Sequence, residues 1–188
     1  MVELMSLWLP ILLSAVFVFV ASSIIHMALP IHKSDFSKLP GESDLLASMR
    51  GQGLQPGSYM FPCAASMKDM ASPEMVEKFN QGPVGYMTVV PSGPYAVGKS
   101  LVQWFIFSIV VGVVVAYVAS LALTPEATKL TIFRFTASIA LMAYGLSNVT
   151  DSIWKGVRWS TTWKFLFDGV VYGAATGAAF VWFWPSSA

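Results

Sequence analysis

The residues whose types could do chemistry form one constellation: His26, Gln103, Tyr144, Asn148, Asp151, Lys164, Asp168 and Tyr172. Positions 144, 148 and 151 share one helix face and 164, 168 and 172 share another, because residues three and four apart are neighbours on a helix. An imidazole, two carboxylates, two carboxamides and two phenols at a common level could serve proton transfer, ion coordination or the binding of a small ligand. The competing reading is structural. Lys155, Arg158 and Lys164 lie near both acids in sequence, so Asp151 and Asp168 are expected to finish in ion pairs and interhelical hydrogen bonds.

Metal and redox chemistry find less support. His26 and His32 are the only histidines; they straddle Pro30, and their spacing does not put them on one helix face, so neither a haem pair nor a zinc site is expected. Cys63, Met67 and Met70, with Met60 and Met75 close by, are soft donors of the kind that suit Cu(I), but methionine also fills small irregular cores. Gly51-Gln52-Gly53 matches no phosphate-binding fingerprint, and neither a nucleophile elbow nor an H-E-x-x-H run occurs. No catalytic residue, metal or cofactor is therefore assigned.

The elements that must position these residues are read from hydropathy. Apolar stretches over 7–29, 101–123, 130–149 and 165–184 each reach the roughly 20 residues that a helix needs to cross a bilayer core. With 55% hydrophobic and 11% charged residues, the chain reads as an all-α membrane protein: four transmembrane helices with a small α+β cytoplasmic insert between helices 1 and 2. Transmembrane helix 1 occupies 7–29, the extramembrane insert 30–100, and helices 2–4 lie within 101–188. The first stretch has no basic n-region and no clear small-residue cleavage site, so it is expected to be retained.

Lys33, Lys38, Lys99, Lys155, Arg158 and Lys164 cluster at one side of the spans, against Lys129 and Arg134 at the other. That asymmetry places 30–100 in the cytoplasm and both termini on the outer side. Trp8, Trp182 and Trp184 mark one interface, and Trp104, Trp154, Trp159 and Trp163 the other. Arg134 reads as an anchor whose long side chain snorkels to water or lipid phosphate. The mixed charges of the insert and a net charge of +1 leave no basic footprint for nucleic acid. A lone cysteine excludes an internal disulfide.

Within the insert, 43–50 reads as a short helix closing at Gly51. Ser72-Pro73-Glu74 opens a second, with a capping hydroxyl, proline at the first position and an acid facing the helix dipole. Met75, Val76 and Phe79 mark its apolar face, and it ends at Gly82-Pro83. Segments 58–61 and 86–90 are expected to pair as two strands.

Gly169, Gly173 and Gly177 line one face of the fourth span, a glycine zipper that lets two helix backbones approach closely. Ser108, Gly112, Ala116 and Ser120 on the second span are the expected counterpart, with a homo-oligomer seam as the alternative.

Taken together, His32-Lys33-Ser34-Asp35, Leu39-Pro40, 56–62, Phe133-Arg134, 152–156, Asp168-Gly169 with Tyr172, and 182–185 carry a resemblance. The chain resembles a group of uncharacterised bacterial four-span inner-membrane proteins. The resemblance covers nearly the whole length and implies a bacterial plasma-membrane location; it brings no activity. Three function classes follow. The first is a non-catalytic accessory or scaffold subunit docked on a membrane-protein partner. The second is an oligomeric transporter or channel using the polar cluster, which the absence of an internal repeat disfavours. The third is a membrane enzyme acting on lipid or quinone, with His26, Asp151 and Asp168 as its acid and base groups. Membrane lipids are partners in all three.

Overall fold

The computed structural model describes residues 1–94 and 96–185. Among the described residues, four helices are long and apolar enough to cross a membrane: Leu4–Ala28, Val97–Ala122, Lys129–Lys155 and Trp159–Trp182. The chain divides into two compact units, Met1–Asp35 with Ala96–Ala188, and Phe36–Tyr95. Residues 30–35, read from hydropathy as part of the insert, thus belong with the long helices. Tyr95 of the expected 30–100 segment and the last three residues of the expected 101–188 segment lie outside the described residues.

The first long helix is built from a 3-10 turn at Leu4–Leu7, α1 (Trp8–Ser23) and a wider π turn at Ile24–Ala28. It stops at Leu29, whose extended backbone (φ −92°, ψ 145°) is what a following proline imposes. The second is α5 (Val97–Ala122). The third is α6 (Lys129–Tyr144), capped by Thr128 accepting from the Thr131 N–H, then a 3-10 turn at Leu146–Asn148 and α7 (Val149–Lys155). Asn148 Nδ2 donates to the carbonyls of Tyr144 and Gly145, the second of which also accepts from the Asn148 N–H, where the helix changes pitch. Gly156, in the left-handed conformation at φ 67°, ends α7 and turns the chain into α8 (Trp159–Trp182).

The glycines have different neighbours from those expected. A Cβ on Gly173 would stand 2.9 Å from the Ala137 carbonyl oxygen, one on Gly177 2.8 Å from the Phe133 ring, and one on Gly169 would overlap the Gly145 backbone. The stripe of the fourth long helix therefore packs against the third, not the second. On the second, Gly112 faces Ser14 and Ile11 of α1, so its small residues admit the first helix. Small residues report that a backbone comes close, not whose it is. Around these seams Val18, Val115, Ala116, Thr136, Thr176 and Phe180 are buried. Val102, Ile106 and Val110 are more than half exposed on the outer face of α5, a surface suited to lipid.

In the second unit, α2 (Glu42–Gly51) covers the expected 43–50 without a side-chain cap, and α4 (Pro73–Gln81) begins where capping chemistry places it, with Ser72 Oγ accepting from the Met75 N–H. A short α3 (Met67–Met70) lies between them, capped by Ser66. The strands β1 (Gly57–Phe61) and β2 (Gly85–Val89) pair antiparallel, with Tyr59 opposite Met87. Met75 and Phe79 are the half-buried face of α4, whereas Val76 is exposed. Cys63 is an exposed free thiol and Met67 is 82% exposed, so neither is a buried ligand.

Candidate functional site

The site lies at the end of the bundle where the first long helix finishes and α8 begins. The π turn carries His26 there, and the chain then doubles back through Pro30. Hydrogen bonds from Lys33 N to the Pro30 carbonyl and from Asp35 N to the His32 carbonyl make the bend compact. This folds His32 onto His26: the rings stack with centroids 4.2 Å apart and 26° between planes. The spacing rule that separated the two histidines holds only for a continuous helix, and Pro30 ends it.

Asp168 comes in from α8. Its Oδ2 lies 3.0 Å from His32 Nε2 and 3.4 Å from His26 Nε2, and its side chain is 2% exposed. The 3.0 Å approach is not aligned as a hydrogen bond, since His32 Nε2 and both Asp168 oxygens are buried without a hydrogen-bond partner. On its other side the His32 ring is fixed, with Nδ1 2.6 Å from Asp35 Oδ2. Asp35 in turn accepts from Lys164 Nζ at 2.6 Å, and Lys164 also donates to Ser34 Oγ at 2.8 Å. Arg158 closes the bend by donating to the carbonyls of Ser34 and Asp35. Burial works to raise the Asp35 carboxyl, but hydrogen bonds from Lys164 and His32, reinforced by their charge, hold it below the ordinary carboxylate range. Asp35 is thus an ionised anchor for His32.

Beside this cluster is a cavity of about 360 Å³. His26, Asp168, Ser23 and Asn148 contribute its polar lining, and Leu101, Trp104, Phe165, Tyr144 and Tyr172 its apolar and aromatic walls. The Trp104, Tyr144 and Tyr172 rings contact one another edge-on or tilted at 5.6–5.8 Å. Trp104 Nε1 donates to Ser22 Oγ at 2.9 Å, which ties α5 to the first helix beside the cavity. The Tyr172 hydroxyl, one turn beyond Asp168, is buried and unpartnered.

The chain matches no protein-family model, no curated protein and no solved structure. Its site has to be read from its own geometry.

Of the residues singled out in the sequence, His26, Tyr144, Asn148, Asp168 and Tyr172 meet at this cavity. Three do not. Gln103 is exposed and does not line the cavity, Asp151 pairs with Lys155 at 2.7 Å on the surface, and Lys164 serves Asp35 rather than Asp168. The expected neutralisation of both acids by nearby bases therefore holds for Asp151 and fails for Asp168, whose neighbours are imidazoles. His32 and Asp35 were missed as site residues. The signal that points to them is the run of His26, His32 and Asp35 across a proline, which a bend can bring to one place.

Proposed function

We propose that the protein is a membrane enzyme that admits a small lipid-phase molecule with a ring-bearing polar head, of the quinone class, into this cavity. The head lies against His26 and Asp168, where an oxygen can be polarised or protonated, and the apolar body lies along Leu101, Trp104 and Phe165. One observation carries this reading: a fully buried carboxylate with no hydrogen-bond partner lines an aromatic-walled cavity of about 360 Å³. Ligand sites typically combine apolar walls with a few convergent polar groups, and aromatic faces suit a flat ring. An aspartate in a membrane segment costs about 2.5–3.5 kcal/mol on insertion scales, a cost that a purely structural helix has no need to carry.

The accessory-subunit reading ranks below it because that role makes no use of the buried cluster. Transport ranks lower again, since the polar groups gather at one end of the bundle and no repeat relates its halves. The Lys/Arg asymmetry supports an orientation with the 30–100 segment cytoplasmic and both termini periplasmic, in the bacterial plasma membrane that the resemblance implies. The fourth helix spends its glycine face within the chain, so any homo-oligomer would form through other surfaces.

The test is extraction in native lipid discs followed by mass spectrometry of the bound small molecules. Wild-type protein should carry a ring-bearing hydrophobic molecule enriched over the bulk membrane, and Leu101→Trp, which fills the cavity, should lose it. The same bulk composition in both proteins would defeat the proposal.

A further inference from the structure

His26 and Asp168, which line the cavity, and His32, which packs against them, have a property that ligand binding alone does not require. His26, His32 and Asp168 each offer one ligand atom, and these atoms lie within 4.8 Å of one another. We propose that they bind a divalent first-row transition metal ion, with Asp35 as the positioning residue for His32. The site is the polar end of the proposed substrate cavity, but the metal assignment stands on its own geometry.

Metal–ligand bonds of about 2.0–2.2 Å place neighbouring donors about 3.0–3.5 Å apart around a tetrahedral or octahedral ion. The separations of Asp168 Oδ2 from His32 Nε2 and His26 Nε2, 3.0 and 3.4 Å, fall in that range. The donors are also idle: His32 Nε2 and both Asp168 oxygens have no hydrogen-bond partner, and Asp168 is 2% exposed. Lone pairs gathered around a buried carboxylate, with only the His26 ring reaching the exposed side, are what an ion requires. They are unfavourable without one.

The surrounding shell fits as well. Asp35 Oδ2, 2.6 Å from His32 Nδ1, accepts the ring N–H there, the arrangement in which a neutral imidazole presents Nε2 to a metal. Histidine ligands commonly donate their second ring N–H to a carboxylate in this way, which fixes the tautomer and the ring. Lys164 balances Asp35, leaving Asp168 with two imidazoles and no Lys or Arg side chain against its carboxylate, a place where a metal cation can sit. Two imidazoles and one carboxylate suit Zn(II) or Fe(II) rather than Mg(II) or Ca(II), which prefer all-oxygen shells. Three protein ligands leave coordination positions open on the cavity side, where an oxygen of the substrate head can bind.

The experiment uses full-length protein in lipid discs, stripped with chelator and titrated with Zn(II) or, anaerobically, Fe(II), with bound metal counted by mass spectrometry. We expect one ion per chain. Asp168→Asn and His32→Gln should abolish stoichiometric binding, Asp35→Asn should weaken it by about 10–100-fold, as loss of a supporting carboxylate does, and Asp151→Asn should leave it unchanged. X-ray absorption of the wild-type Zn(II) form provides a readout independent of whether any variant folds. It should show nitrogen or oxygen ligands near 2.0–2.1 Å with the scattering pattern of two imidazoles. No stoichiometric binding by wild type, or a spectrum without imidazole, overturns the proposal. Metal retained in Leu101→Trp after its hydrophobic ligand is lost separates the two readings; ligand bound without metal removes only this one.

Discussion

A graded series of glycine substitutions tests the packing that positions the site. A Cβ on Gly169 would lie 2.7 Å from Gly145 N, about 0.7 Å short of the 3.4 Å at which ordinary contact begins, and the obstacle is backbone. Gly173 meets another backbone atom, the Ala137 carbonyl oxygen at 2.9 Å, while Gly177 meets the Phe133 ring at 2.8 Å. No rotamer change relieves the first two, so the third and fourth long helices must part. Alanine at 169 or 173 should therefore cost about 1–3 kcal/mol, the usual range for overpacking. Gly177→Ala should cost less than either because a ring can tilt. Gly98 has nothing within 4 Å of the corresponding position on α5. There alanine should be neutral or stabilise by up to about 1 kcal/mol through reduced backbone freedom in the unfolded chain. Equilibrium unfolding in mixed detergent and dodecyl sulfate micelles, followed by tryptophan fluorescence, gives the order directly. Gly169→Ala as stable as Gly98→Ala would mean that these backbones are not in contact.

Two further predictions concern topology and the bend that carries His32. In a Cys63→Ser background, a membrane-impermeant thiol reagent applied to intact cells should label Glu3→Cys and spare Ser43→Cys; the reverse pattern inverts the bundle. Lys164→Met leaves Asp35, whose side chain is 4% exposed, without its closest cation and should cost about 3 kcal/mol, the low end for breaking a buried pair because Lys164 is 21% exposed. Adding Asp35→Asn should recover part of that loss in thermal unfolding, and strict additivity of the two changes would remove the pair from the account.

Much of the fold was legible because its signals are local. Ser72-Pro73-Glu74 states a helix start through a cap, a fixed φ and a favourable charge, and Pro73–Gln81 begins there. The strand pairing followed from two β-prone runs bounded by Gly and Pro, and the observed register joins Gly57–Phe61 with Gly85–Val89. Hydropathy located the four long helices. What local signals lack is the identity of the neighbour. The glycines at 169, 173 and 177 announce a close approach that either of two helices could satisfy, and the structure gives it to the third.

The same limit governs the site. Helical periodicity correctly grouped Asp168 with Tyr172, and it also grouped them with Lys164, whose flexible stem lets it leave that face for Asp35. It could not group His26 with His32, because Pro30 removes the helix on which the rule depends. Yet proline is also what makes the meeting possible. A continuous helix would direct positions 26 and 32 about 120° apart around its axis, whereas a stop, a compact bend and two basic anchors, Arg158 at the N-cap of α8 and Lys164 within it, return the second imidazole to the first. Arg158 holds the backbone of the bend, Lys164 holds its carboxylate, and that carboxylate holds the ring. A bend secured at three levels to present one nitrogen beside a buried, unpartnered aspartate is more than chain reversal needs. That excess is the physical reason to look for chemistry at this end of the bundle.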